Sequence, residues 1–569
     1  MKTNRCRKAE GGYALMMVLF FGGISLLALS GALQWCSSTA RNTDRNNRMF
    51  AAVSAAEAAT EKVLTSISDD YQKFGETIVY DNLGAYRDLH PRPQETAYWN
   101  GFGFSDAQGN ANKTYVERIL AWQYTPLHSQ YEGLYGLAST YRIVSNAQMS
   151  DISPPIIGAV RQDIQVAAIP IFQFAIFYTM DLELHNGPAF TVTGRVHSNR
   201  DIYTNPLNRL TFLSHVTASG NIILGKSALD PVARTPNPSL VTFSAEHDAG
   251  VGSLNLPIGT NNTSEAVHAV LEIPPDSEST RSQMGLQRYY NKADVVIVVS
   301  NSTVVAKTGA WNRFGTEIPW SEISSFIDTN KSFFNKRELK WIKTTEIDVA
   351  RLATWSGSSD VKRALGRDVN AIYVADMRSQ TLSTESGVRI VNGAALPSKG
   401  LTVATPNPAY ILGDFNAPVA DRGTTNTLNT KPSSIVADAI TILSSAWRDD
   451  HSTDRLSNRP AVNTTVNAAF LAGNVPSNGR AYSGGVENFP RFLEDWGNDT
   501  FTYNGSMVVM FASAIATAPW GGGDVYSAPR RNWAFDLNFM DATKLPPGTP
   551  QLLTTIRGEW AMIEPGTIQ

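Results

Sequence analysis

The chain has 569 residues, 42% of them apolar and 10% aromatic, and its 48 Lys and Arg against 51 Asp and Glu give a net charge of −3. That composition supports a large core or two to three domains, and the lack of any basic block beyond the first residues argues against nucleic-acid binding. The two cysteines, Cys6 and Cys36, both precede residue 37, so the rest of the chain has no disulfide, thiolate metal site or Cys nucleophile and is expected to rest on its core alone.

Residues 1–12 form a basic leader, with Lys2, Arg5, Arg7 and Lys8 against Glu10; without it the remainder carries −6. Residues 13–35 hold no charge over 23 positions, long enough to cross a bilayer core as a helix. Positive charge before the span and a large domain after it predict a cytoplasmic leader and an exported remainder from about Ser37. The span exceeds the roughly 7–15 apolar residues of a secretory signal core, although Ser38-Thr39-Ala40 offers a cut site. Trp35 occupies the position where a lipoprotein cut at Cys36 needs a small residue.

Residues 36–67 read as an amphipathic stalk that continues the same helix. Met49, Val53, Ala56, Thr60, Val63 and Ile67 recur at spacings of four and three, a helical stripe. Ala51, Ala52, Ala55, Ala58 and Ala59 raise helix propensity, and neither Pro nor Gly interrupts Ala32 to Phe74. At 1.5 Å per residue, Tyr13 to Ile67 predicts a rod of about 80 Å.

The order Gly11-Gly12-Tyr13-Ala14-Leu15, apolar span, Arg41 to Arg48, then Phe50-Ala51-Ala52-Val53-Ser54-Ala55-Ala56-Glu57-Ala58 resembles the N-terminal region of the pilus-assembly proteins called PilX and of the related type II secretion pseudopilin GspK. The resemblance implies cleavage by a prepilin peptidase after Gly12, methylation of the new N-terminus at Tyr13, and a helix assembly face that includes Met17, Met49, Phe50, Val53, Ala56, Glu57 and Val63. It also implies a single-pass inner-membrane protein with its head periplasmic or extracellular on a filament. Its partners would be other pilins or pseudopilins, the inner-membrane assembly platform and membrane lipid.

Major pilins carry Glu at the fifth mature position, where this chain has Met17. A Glu in the span is costly unless it pairs with a neighbour's N-terminal amine, and minor pilins of the PilX and GspK type share its absence. A place at or near a filament tip is the implied role. The phrases at 400–416, 482–492 and 503–507 resemble long PilX-like proteins, whose large β-rich heads have no established activity.

Residues 68–165 form a mixed connecting region, strand-like at Tyr115 to Trp122 and Leu134 to Ser145. Residues 166–270 are β-rich and hold an internal echo: Gly194-Arg-Val196-His-Ser198-Asn-Arg-Asp-Ile202 aligns with Ser214-His-Val216-Thr-Ala218-Ser-Gly-Asn-Ile222 at a period of 20. One inward Val and one inward Ile per copy suit a coil of a parallel β-solenoid; a twisted antiparallel sheet or sandwich stays open.

Residues 271–375 read as an α/β insertion. Its pieces are a buried strand at Asp294 to Ser300, a hairpin partner at Ser302 to Lys307, a mostly helical stretch from Ser332 to Trp355 capped at Thr345 or Asp348, and a strand at Ala371 to Ala375. Residues 376–569 form a β-rich C-terminal region, with a short buried helix expected at Ser434 to Trp447 and core strands at Val466 to Gly473 and Gly505 to Phe511. The fold class expected is α+β, mainly β.

Chemical motifs are few. Gly220-Asn-Ile-Ile-Leu-Gly225-Lys226-Ser227 matches the phosphate-loop pattern, but its middle belongs to the β repeat, and Pro231, Pro236 and Pro238 follow where a helix should start, so no nucleotide is expected. Asp449, Asp450 and Asp454, with His451, are the candidate cation ligands, though the loop glycine and distal Glu of an EF-hand are missing. The eight histidines are scattered, no Gly-x-Ser-x-Gly elbow occurs, and His185 and His197 read as hydrogen-bonded structural residues.

Trp311, Trp320, Trp496, Trp520 and Trp533 lie in Gly-, Pro- or Asn-rich stretches, and Trp520 and Trp533 are the candidates to stack on a sugar or anchor a partner. The reading is a non-enzymatic filament component with no cofactor, no metal, no nucleotide and no nucleic-acid partner. Its alternatives are a membrane-anchored polysaccharide-active enzyme, with carboxylates such as Asp201 and Asp414 on one solenoid face, and a glycan-binding adhesin.

Overall fold

The computed structural model describes residues 11–150, 155–312, 315–521 and 523–568; Lys2, Arg5, Cys6, Arg7 and Lys8 of the leader lie outside them. The architecture is α+β and mainly β, a long N-terminal helix followed by a large β-rich region. Two compact units divide it: Met1–Trp122, Ser139–Val166 and Thr555–Gln569 in the first, Gln123–Ala138 and Ala167–Thr554 in the second.

In the first unit, helix α1 runs unbroken from Gly11–Phe74, 64 residues, and so passes the expected end at Ile67. Gly75 follows at φ 82°, a left-handed conformation that a Cβ would strain. A five-stranded sheet that supplies this unit's strands orders Phe102–Ser105, Tyr135–Met149, Ile157–Pro170 and Gln551–Met562, with Tyr115–Pro126 pairing to Tyr135–Met149. Val53, Ala55, Ala56 and Ala59 of α1 pack on Phe104, Ala147 and Val160 of that sheet.

The approach is close because both sides are small. A Cβ on Gly158 would sit 2.6 Å from the Ala52 carbonyl carbon and 2.8 Å from Val53 Cα, closer still to the Val53 nitrogen. Beyond α1, the Glu76 carboxylate gathers the Arg118 guanidinium at 2.9 Å, the Ser139 hydroxyl at 2.7 Å and the Tyr141 hydroxyl at 2.9 Å.

The second unit is a parallel β-solenoid, one of the two arrangements left open by the repeat. Ile176–Tyr178, Val196–Ser198, Val216–Ala218 and His247–Ala249 pair in parallel on one side, Leu182–Leu184, Ile202–Thr204 and Ile222–Ile223 on a second, and Phe190–Val192, Leu210–Phe212 and Val241–Phe243 on a third. The period of 20 is realised residue for residue: Val216 lies beside Val196 and Ile222 beside Ile202. Val196, Val216 and Ile202 have no exposed surface, a burial worth about 1.5–3 kcal/mol per side chain.

The remaining chain extends the first side in the opposite direction. Val295–Val299, Ala371–Asp376, Leu401–Ala404, Ser433–Ala437, Ala469–Asn474 and Met507–Ala512 pair successively in parallel, and Met507 then lies beside Ile176. The last of these rungs thus stacks under the first coil. One sheet of 12 strands results, closed at its far end by the antiparallel Val304–Thr308 and Glu317–Ile318. Residues 271–375 therefore supply short helices and also two rungs of this sheet.

Two local expectations are corrected. Ser434 to Trp447 is no helix but two strands, Ser433–Ala437 and Ile440–Leu443; parallel partners on both sides of each override an ambiguous apolar spacing. Between them the buried Asp438 carboxylate accepts the Ala516 amide at 2.8 Å and the Ala514 amide at 2.5 Å and meets His268 Nε2 at 3.3 Å. Ser332 to Trp355 is a hairpin, Ile327–Asn335 with Lys340–Asp348, before a helix at Val349–Ser358. Aromatic and β-branched residues such as Phe333, Trp341 and Ile342 favour the pleat. Of the two caps expected, Asp348 takes the role, accepting the Arg351 amide at 3.0 Å.

Candidate functional site

The side chains that need an explanation from outside the fold are those of the first half of α1. Every residue from 13 to 47 is exposed, including Leu27 at 75% and Trp35 at 71%. An 18-residue window of this helix has mean hydropathy 2.1 and no buried part, long and apolar enough to cross a membrane. A contiguous apolar surface of this size in water marks a membrane or protein contact.

The second half of the helix behaves differently. From Ala52 onward one face is buried: Ala52, Ala56, Ala59, Val63 and Ile67 have no exposed surface and Val53 has 6%. The expected assembly face therefore divides. Val53, Ala56 and Val63 face into the first unit, Met49 is half-buried, and Met17, Phe50 and Glu57 point outward. Tyr13 is 81% exposed at the start of the rod, and Gly12 lies within the helix.

A clamp missed by sequence reasoning holds this half. The Arg557 guanidinium, on the last strand, pairs with Glu61 of α1, and Thr555 meets Ser68 at 3.2 Å. The first unit holds the part of the 12-residue strand Gln551–Met562 that runs from Thr555 onward. Nothing local in the sequence told that this strand returns nearly 500 residues to the stalk.

The other candidates are separated or enclosed. Asp449 is held by Arg389 at 2.6 Å and by the Trp447 indole at 2.9 Å, Asp450 by Arg448 at 2.7 Å, and Asp454 by His451 at 2.7 Å. Each carboxylate has its own donor, and among the described residues no three His, Cys, Asp or Glu side chains converge on a metal position. Trp533 is 9% exposed and lies edge-on to Phe190, 5.8 Å between centroids; it belongs to the core. Trp520 is half-buried, donating to the Tyr526 hydroxyl at 2.9 Å.

Lys226 of the phosphate-loop match donates to the Asp230 and Val232 carbonyls at 2.9 and 2.8 Å, after the short strand Ile222–Ile223. His197 is buried between Thr217 Oγ1 at 2.8 Å and Asn199 Oδ1 at 3.0 Å, whereas His185 contacts the Asn205 carbonyl. Asp414 accepts the Thr465 amide at 2.8 Å and Asp201 the Asn221 amide at 2.7 Å. None of these bonds joins Asp201 to Asp414.

No family model matches the chain, and no curated protein matches it. Among solved structures it is similar to the competence-associated pilin ComZ from Thermus thermophilus, at 11% identity and a TM-score of 0.30, over 91% of this chain and 97% of that one. A likeness of that size carries nothing further to this chain.

Proposed function

We propose that the chain is a minor pilin-like or pseudopilin-like structural component of a type IV pilus or type II secretion-like filament. The observation that carries this reading is one 64-residue helix whose residues 13–35 are uncharged, mostly apolar and exposed and whose second half is packed on the first unit's own sheet. Such a helix is built to be shared: the exposed half is covered by lipid before assembly and by neighbouring helices in the filament core. The glycine pair ahead of Tyr13 and the uncharged Met17 support entry by the prepilin route and a place at or near the tip, where no subunit below requires a paired carboxylate. Met17, Phe50 and Glu57, the outward members of the helix face, are then the residues that meet neighbours, and the large β-rich head does structural rather than catalytic work.

The test is the N-terminal sequence and mass of the protein from cells with and without prepilin peptidase. A start at Tyr13, with or without a methyl group, that appears only with the peptidase is the expected result. A start after Ala40, or an N-terminus indifferent to the peptidase, overturns the reading.

A further inference from the structure

A cleft of about 620 Å³ opens in the solenoid unit. Its walls come from the first two coils between Thr179 and Arg200, the return segment from Ser227 to Glu265, and the stretch from Asn474 to Ser483 with Ala512. The volume falls within the roughly 300–1,000 Å³ of small-molecule sites, but those are mostly apolar and aromatic. Here only Met180, Leu229, Pro476 and Ala512 of 18 lining residues are apolar, and none is aromatic.

One wall holds an incompletely bonded carboxylate. Glu183 is 8% exposed; Oε2 accepts from the Ser477 hydroxyl at 2.6 Å and from the Ser483 hydroxyl, while Oε1 has no hydrogen-bond partner among the described residues. That oxygen is fully enclosed within the wall. Burial raises the Glu183 and Asp181 carboxyls above their usual range, which favours neutral donors over an ion pair. On the other walls the side chains of Asn255 and Asn261 make no hydrogen bond among the described residues.

We infer that this cleft binds an uncharged oligosaccharide of a few sugar units, its hydroxyls donating to Asp181 and exchanging hydrogen bonds with the amides of Asn255 and Asn261. Three carboxylates, Asp181, Glu183 and Glu265, against the one guanidinium of Arg200 exclude an anionic ligand. The lack of an aromatic plane disfavours a nucleobase, and an apolar ligand would leave the amides and carboxylates unmatched. The sugar-contacting surface is thus this polar cleft and not Trp520 or Trp533. The inference stands apart from filament entry, since every lining residue belongs to the second unit.

The test uses the full chain in lipid nanodiscs, titrated with maltotriose, cellotriose, mannotriose and N,N′,N″-triacetylchitotriose, with trilysine as the cationic comparison. At least one trisaccharide is expected to bind with Kd at or below about 1 mM, and Asn255→Ala and Asn261→Ala each to weaken it at least about tenfold, a change of about 1.4 kcal/mol. Asn261 is exposed and Asn255 half-buried, so neither truncation threatens the fold. Silence from all four trisaccharides, affinity unchanged in both variants, or tighter binding of trilysine that the same variants weaken overturns the inference.

Discussion

Replacing Gly158 by Val is expected to pull the second half of α1 off its sheet. The new Cβ would lie 2.6 Å from the Ala52 carbonyl carbon and 2.8 Å from Val53 Cα, atoms of helix backbone with no rotamer by which to yield. The helix must therefore shift bodily, opening the contact of Ala55, Ala56 and Ala59 with Phe104, Ala147 and Val160, at a cost near the upper end of overpacking, about 3 kcal/mol. Hydrogen exchange at the amides of residues 52–63 reads this locally, and roughly a hundredfold faster exchange is the expected outcome. Gly103→Ala is the control, because its Cβ meets only the flexible Gln148 side chain, at 3.6 Å. If Gly158→Val leaves exchange in this stretch at the control's level, the close approach is not what seats the stalk.

That contact also explains what the sequence hid and what it exposed. The alanines at 51–59 were legible as helix formers, and Val53, Ala56 and Val63 as one helical stripe, which was expected to belong to an assembly face. Their smallness has a second cause, the near approach of the strand carrying Gly158, which no local pattern reveals. The period of 20 was legible because Val196 and Val216, and Ile202 and Ile222, are in-register neighbours on a ladder; identical environments select similar residues.

The later rungs were harder to see. Between Ala371–Asp376, Leu401–Ala404, Ser433–Ala437 and Ala469–Asn474 the spacing is uneven, so no repeat stands out, and their strands are buried on both faces, which removes the alternation that marks a half-exposed strand. The same double burial made Ser434 to Trp447 look helical. The cleft was invisible for another reason: Asp181, Asn261 and Ser477 share it only because the return segment and a late rung meet the first coils.

Replacing Glu494 by Gln is expected to stabilise the solenoid unit at pH 8 and to leave it nearly unchanged at pH 5. The Glu494 side chain has no exposed surface and accepts from the Ser444 amide at 2.6 Å and the Ser444 hydroxyl at 2.7 Å. Burial pushes its carboxyl up to about 7, with the Ser444 bonds and the nearby Arg459 guanidinium opposing the rise. Among the described residues Arg459 makes no direct ion pair; its two Nη groups donate to the Leu493, Asp524 and Val525 carbonyls.

A folded-state value raised above the unfolded one means that the folded chain keeps a proton the unfolded chain has released. The contribution is therefore fully present below the unfolded value near 4.5 and is lost as pH rises through about 7. At about 1.4 kcal/mol per unit the loss is about 3 kcal/mol. Gln has the same shape, can accept the Ser444 amide through its oxygen and donate to the Ser444 hydroxyl, and does not titrate.

His197, held down to about 4 by burial, gives stability of the opposite slope, gained between about 4 and 6.5, but it is common to both proteins and cancels in their difference. Glu487→Gln is expected to act in the same direction, since burial lifts that carboxyl to about 7 as well, with Glu183 adding to the rise and Arg531 and Arg234 opposing it. Denaturant midpoints of the second unit's transition at pH 5 and pH 8 decide the matter. A stability offset between Glu494→Gln and the parent that is the same at both pH values would mean that Glu494 stays ionised in the fold, and that its pair of serine bonds compensates its burial in full.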